Sequence, residues 1–142
     1  MAGASSMLDL DKLRRIVDQS SAIRTALFRH EQFLLSQTQQ SAACNANHSV
    51  EARLSRWLLR AHDLNGSHTQ VFTQEFLAEM LGVRRTSVSL VASTLQQVGL
   101  IKYRRRLIQI TDLEGLQAAS CECHEAVRSS YERLLGEISF RS

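Results

Sequence analysis

Three stretches of this sequence carry side chains with chemistry to offer. The first is Arg84-Arg85-Thr86-Ser87, with Ser89 and Ser93 close behind. On a helix of about 3.6 residues per turn, Val88, Val91, Ala92, Leu95 and Val98 form one apolar stripe. The outward face then carries Thr86, Ser89, Leu90, Ser93 and Gln97, with Arg85 at its N-terminal edge. A guanidinium can donate two bonds to guanine O6 and N7, hydroxyls can serve a base or a phosphate, and an exposed Leu90 suits a thymine methyl. The second stretch is Lys102-Tyr103-Arg104-Arg105-Arg106. Between Met80 and Thr111 there is no Asp or Glu, while Arg84, Arg85, Lys102, Arg104, Arg105 and Arg106 all fall there. A basic island of this kind attracts phosphate; the plain alternative is a solvated basic face.

The third stretch, Cys121-Glu122-Cys123-His124, invites a metal. On a helix, however, residues two apart point to different sides, and only His124 lies three residues on from Cys121. Structural zinc takes four ligands. The thiols therefore read as inert, with no metal and no cofactor expected. With Cys44 the cysteines number three. An odd count argues against a disulfide framework and fits a reducing cytoplasm.

Other classes fall away. His30, His48, His62, His68 and His124 are scattered, and no glycine-rich phosphate loop or nucleophile motif is present; an enzyme is not expected. No apolar run approaches the ~20 residues that span a bilayer, so no membrane partner is expected. "MAGASSM" lacks the basic and apolar regions of a secretion signal and reads as a disordered leader.

The elements that must position these residues are mostly helices. The chain has 142 residues, 44% of them hydrophobic, no proline and few glycines. That composition favours long helices over a strand-rich sandwich. A short helix is expected over about Leu10 to Asp18. Ser20 or Ser21 caps a longer one over about Ala22 to Asn45. Its seam of Ile23, Leu27, His30, Leu34, Gln37 and Ser41 suits pairing with an identical helix. Packing against the chain's own domain is the alternative. Ser49 caps a helix bearing Val50, Leu54, Trp57, Leu58 and Ala61, which ends at Leu64-Asn65-Gly66. Thr73 caps the next, with Phe72 and Leu77 as a hydrophobic staple and Phe76, Leu77, Met80 and Leu81 buried. Gly82 makes the sharp turn into the helix of the first stretch, and Gly99 ends that helix. "LIKYRRRLIQIT" reads as two short strands turning near Arg105. Asp112 can cap a further helical turn, and Ala118 to Gly136 reads as a final helix.

The expected fold is mainly α: a long dimerisation helix, then a winged helix-turn-helix domain with a small β-hairpin wing. The boundary falls between residues 1–47 and 48–142. In such a domain the start of the first helix, at Thr73 and Gln74, caps a phosphate. Arg84, Ser87, Ser93, Lys102, Tyr103, Arg104, Arg105 and Arg106 are the expected backbone contacts, and Arg85, Thr86, Ser89 and Leu90 the expected base readers. A helical interaction module that binds no DNA is the competing class.

At this point "FTQEFLAEMLGVRRTSVSLVASTLQQVGLIKYRRRLIQITD" resembles the DNA-binding domain of the Crp/Fnr family of bacterial transcription regulators. The resemblance extends upstream through "HSVEARLSRWLLRAHD" and the long helix, and downstream through "ASCECHE" and "YERLLG". It implies a homodimer on double-stranded, palindromic DNA, with RNA polymerase as a further partner. It implies that Ala22 to Asn45 is the dimerisation helix and that the short helix before it ends a β-roll sensor. No strand-rich sensor precedes Leu10, so the resemblance implies an output half, with no effector site in these residues. Arg85 matches the family's base-reading arginine. Thr86 stands where many members carry an acidic reader, and Leu90 where some carry a second basic one. Arg84 replaces a common capping serine, and Arg106 replaces a glycine usual in the closest subgroup's wing turn. If that turn needs positive φ, Arg106 is strained.

Overall fold

The computed structural model describes residues 6–136. Met1–Ser5 of the expected leader lie outside the described residues. The elements run α1 (Leu10–Gln19), α2 (Ser21–Asn47), α3 (Val50–Asn65), β1 (Thr69–Val71), α4 (Gln74–Leu81), α5 (Arg85–Gln97), β2 (Ile101–Arg104), β3 (Leu107–Ile110), α6 (Leu113–Ala119) and α7 (Cys123–Leu135).

Local chemistry sets the helix starts. The hydroxyl of Ser20 accepts from Ile23 N–H, that of Ser49 from Ala52 N–H and that of Thr73 from Phe76 N–H, while the Asp112 carboxylate accepts from Gly115 N–H. Each bond satisfies a donor that the first turn of a helix leaves free. Between α4 and α5 the chain reverses at Gly82, whose φ is 62°. That left-handed conformation is open to glycine at little cost. Val83 N–H then bonds Ala78 C=O, closing the turn.

One core holds the C-terminal part together. Leu54, Leu58 and Leu59 of α3 meet Leu77 and Leu81 of α4, Val88, Ala92 and Leu95 of α5, Ile101, Ile108 and Ile110 of the sheet, and Leu116 of α6. Three expectations change here. Val98 is exposed rather than buried, because the last turn of α5 overhangs the core. Phe76 is also exposed; Ala78 takes the inward position. The Phe72 ring stacks on Phe76, with centroids 5.6 Å apart, so the aromatic cover of the α4 start is Phe72 on Phe76 and not only Phe72 on Leu77.

The sheet has three strands in the order β1-β3-β2, all antiparallel. The hairpin β2–β3 was expected. β1 was not, since three residues are too few to show an alternating pattern. Gln70, the one buried residue of β1, is held by Asn65 and by Ser67 C=O.

The helical turn expected after Asp112 is α6, and the final helix expected over Ala118 to Gly136 begins only at Cys123. α6 ends at Ala119, and Ser120 to Glu122 form a turn before α7. α7 lies mainly along α2 rather than on the winged-helix core. Phe33 meets Tyr131 edge-on at 5.1 Å. The Arg60 guanidinium sits over both rings, 5.5 Å from Phe33 and 5.0 Å from Tyr131, a cation–π arrangement. Ser36 and Ser130 hydroxyls lie 3.2 Å apart. His124 Nε2 donates to Asp63 Oδ2 at 2.8 Å and ties α7 to α3. Burial alone would raise the Asp63 carboxyl. The His124 bond and the charges of His124, Arg128 and Arg60 outweigh it and hold the group below the usual carboxylate range.

α2 therefore carries two stripes. Phe33 and Cys44 are buried against the chain's own α7 side. Ile23, Leu27, His30 and Leu34 are exposed; Gln37 and Ser41 are half-buried at the border. The Ser41 hydroxyl accepts from Arg56 Nη2 at 3.4 Å, so it faces inward as much as outward. No helix among the described residues is long and apolar enough to cross a membrane.

Candidate nucleic-acid interface

The apolar stripe of α5 settles what the helix shows. Val88, Ala92 and Leu95 are buried. Arg84, Arg85, Thr86, Leu90 and Ser93 are exposed, and Ser87 and Ser89 are half-buried. Leu90 is 70% exposed, which is unusual for a leucine in mid-helix and makes it the apolar centre of the outward face. The Ser89 hydroxyl donates back to Arg85 C=O; its lone pairs remain outward. Arg84 occupies the N-cap without a side-chain bond; Ser87 N–H bonds Arg84 C=O, and the N–H groups of Arg85 and Thr86 are left for an outside acceptor.

Arg85 is held rather than loose. Its Nε donates to Gln74 Oε1 at 3.1 Å, and its Nη1 lies 3.2 Å from Glu75 Oε1. Gln74 and Glu75 open α4, so the two helix N-termini meet at this arginine. Sequence reading missed Glu75 in this role. Its place in a helix's first turn is explained equally well by the dipole, and nothing in the spacing signals the cross-helix pair.

The wing completes the cleft. Thr73, Gln74, Glu75, Arg85, Tyr103, Arg105 and Arg106 line an open hollow of about 320 Å³. Thr73 uses a lone pair to cap α4 and keeps its proton for another acceptor. Tyr103 is half-buried, and burial pushes its phenol up while Gln74 and Arg85 oppose the shift. Its backbone N–H donates to Gln96 Oε1 at 2.7 Å and fastens the wing to α5. Lys102 and Arg104 go elsewhere. Strand alternation puts them on the other face of the hairpin, where they line a groove with Thr69, Gln96, Tyr103, Leu107 and Gln109. Tyr103 lines both hollows, and Arg104 joins Arg105, Arg106 and Leu107 around a third at the wing tip.

The turn residue with positive φ is Arg105, at 53°. The expectation placed such strain at Arg106. The register explains the difference: Arg104 pairs with Leu107, so Arg105 is the first of two loop residues and takes the left-handed conformation. An L side chain there costs about 1–2 kcal/mol.

The Cys-x-Cys-His stretch is arranged differently from the expectation. α7 begins at Cys123, and Cys121 lies in the turn before it, so the two do not splay around a helix. His124 turns away to Asp63. Cys121 and Cys123 instead gather with Cys44 and His48, all four ligand atoms lying within 4.8 Å of one another. Burial pushes the Cys44 thiol up and raises that of Cys121 to about 12.

A helix, a left-handed glycine turn, an outward-facing second helix and a basic hairpin define a winged helix-turn-helix. Residues 52–119 match the family model of the Crp-like helix-turn-helix domain, from the first turn of α3 to the last residue of α6. The chain carries this domain, as the resemblance to the Crp/Fnr family implied. No curated protein matches the chain. Among solved structures, it is similar to a protein assigned to the Crp/Fnr family of transcriptional regulators from Eubacterium rectale, at 22% identity and a TM-score of 0.59, covering 73% of this chain and 48% of that one. It is also similar to a CRP-family transcriptional regulator from Thermus thermophilus, at 24% identity and a TM-score of 0.58, covering 80% and 55%. The chain thus spans about half the length of these relatives. Among the described residues there is no β-roll; the sheet is the three-stranded one.

Proposed function

We propose that this chain binds double-stranded DNA sequence-specifically as a homodimer and so regulates transcription. The observation that carries the reading is the outward face of α5: Arg85, Thr86 and Leu90 stand clear, with Ser89 half-buried beside them, while Val88, Ala92 and Leu95 anchor the back. Arg85 reads a guanine edge, and the hydroxyls and Leu90 refine the choice. Thr73, Gln74, Arg84, Ser87, Ser93, Tyr103, Arg105 and Arg106 hold the phosphates around that face, which positions the helix without reading sequence. Lys102 and Arg104, on the far side of the wing, reach the backbone further along the groove. Ile23, Leu27 and Leu34 of α2 pair with a second copy, so that two reading helices address half-sites about 34 Å apart on a palindrome. RNA polymerase is the downstream partner of such a regulator, and the cytoplasm is where it works.

The test is a salt titration of duplex binding by fluorescence anisotropy. Each neutralised phosphate contributes a slope of about −0.9 in log K against log salt. Arg105→Gly should flatten the slope by about that amount for every duplex. The same change should raise folding stability by about 1 kcal/mol, by relieving the left-handed arginine. A chain that binds no duplex, or shows no salt slope, is the helical interaction module instead.

A further inference from the structure

The winged-helix reading leaves one cluster unused. Cys44 closes the last turn of α2, and His48 caps that helix four residues on. Cys121 comes from the turn between α6 and α7, and Cys123 opens α7. Cys44 and Cys121 are 77 positions apart in sequence, yet their sulfurs lie 3.6 Å apart. Cys123 Sγ lies 3.5 Å from His48 Nδ1. Cys44, Cys121 and Cys123 are at most 8% exposed.

These separations fit a single tetrahedral ion. Zinc–sulfur bonds of about 2.3 Å and zinc–nitrogen bonds of about 2.0–2.1 Å give tetrahedral edges of about 3.8 Å between sulfurs and about 3.6 Å between sulfur and nitrogen. Two edges already match, and the others reach 4.8 Å at most, within the range of small side-chain rotations. An iron–sulfur cluster, whose ligands sit on different irons, would need its ligand atoms farther apart.

The surroundings point the same way. His48 Nε2 faces Glu122 Oε1 at 3.2 Å. A proton on Nε2, donated to that carboxylate, leaves the Nδ1 lone pair directed at the cluster; this carboxylate–histidine pairing is the usual support of a metal-bound imidazole. Gln40 Nε2 donates to Cys123 Sγ at 3.0 Å. Arg56 is only 2% exposed. Among the described residues no carboxylate pairs with it, its Nε has no partner, and its Nη2 reaches Ser41, one turn before Cys44 on α2. Three thiolates and one divalent cation carry a net charge of −1, which is what a buried arginine lacks here. Binding releases the thiol protons to solvent, with no change of oxidation state.

We propose that Cys44, His48, Cys121 and Cys123 form a structural site for one divalent zinc-class ion per chain. The ion would pin the end of α2, the α2–α3 junction and the start of α7 together. If α2 is the dimerisation helix, the ion also fixes the angle from which α3 carries the reading helix; that consequence, unlike the site, rests on the DNA-binding reading.

The test uses the reduced chain with Zn²⁺ and Co²⁺ and needs no DNA. Elemental analysis should find one zinc per chain. Cobalt substitution should give tetrahedral visible bands and thiolate-to-cobalt charge transfer, both abolished by added zinc. Glu122→Gln should keep the site and weaken metal affinity about tenfold or more. Cys123→Ser should lose the charge-transfer intensity of one sulfur and hold metal less tightly still. Failure of the reduced wild-type chain to take up either metal would overturn the proposal without reference to any variant's folding. So would an unchanged cobalt spectrum in Cys123→Ser, or a Cys44–Cys121 disulfide found in the chain as isolated from the cell.

Discussion

Replacing Arg85 by alanine should weaken binding to the preferred duplex by about 1–3 kcal/mol and erase the preference at one base position in each half-site. At the upper end, that is more than a hundredfold in affinity. The expectation follows from how the side chain is held. Gln74 and Glu75 grip Nε and Nη1, so the guanidinium is oriented before DNA arrives and loses less freedom on binding. Its exposed location, at 65% for the side chain, means that alanine removes no core contact. The measurement is competition between duplexes that differ at single base pairs. Equal loss on every duplex would make Arg85 a phosphate contact and shift the reading role to Thr86, Ser89 and Leu90.

Leu34→Glu should have the larger effect on the intact site. Leu34 is 47% exposed in the single chain, so glutamate there leaves the monomer's core alone. In a paired α2 seam it would place a charge from each copy in an apolar contact. Loss of pairing turns a two-headed binder into a one-headed one, and linked binding is worth about 10²–10⁴ in affinity. Sedimentation should show a dimer for the parent chain and a monomer for the variant, with thermal stability of the winged helix retained. A variant that stays dimeric would place the interface elsewhere, for example on the Phe28 and Leu35 side, where both residues are also exposed.

Much of this architecture was legible in the residues. Ser20, Ser49, Thr73 and Asp112 mark helix starts because a short polar side chain there satisfies a free N–H. Gly82 marks the turn because few other residues tolerate its φ. The outward face of α5 follows from the spacing of its aliphatic residues. What was not legible depends on distance in space rather than in sequence. β1 exists because β3 has a free edge for it. The Arg85–Glu75 pair needs the crossing of two helices. Whether Arg105 or Arg106 takes the left-handed position depends on strand register, which a run of three arginines does not encode. The thiols looked inert because Cys121 and Cys123 were weighed against their neighbour His124. Their partners, Cys44 and His48, arrive from the far end of α2. The buried Arg53, Arg56 and Arg60 of α3 were hidden for a related reason: most of their partners, Asn45 and Leu81 C=O for Arg53, Ser41 for Arg56 and the Phe33 and Tyr131 rings for Arg60, lie on other elements.

If α5 is a reading helix presented twice, selection from a pool of randomised duplexes should recover its site. The enriched motif should be two-fold symmetric, with half-sites one helical turn apart and a guanine in each half that Arg85→Ala no longer selects. Recovery of no motif, or of one lone half-site in a sample that is dimeric, would contradict it.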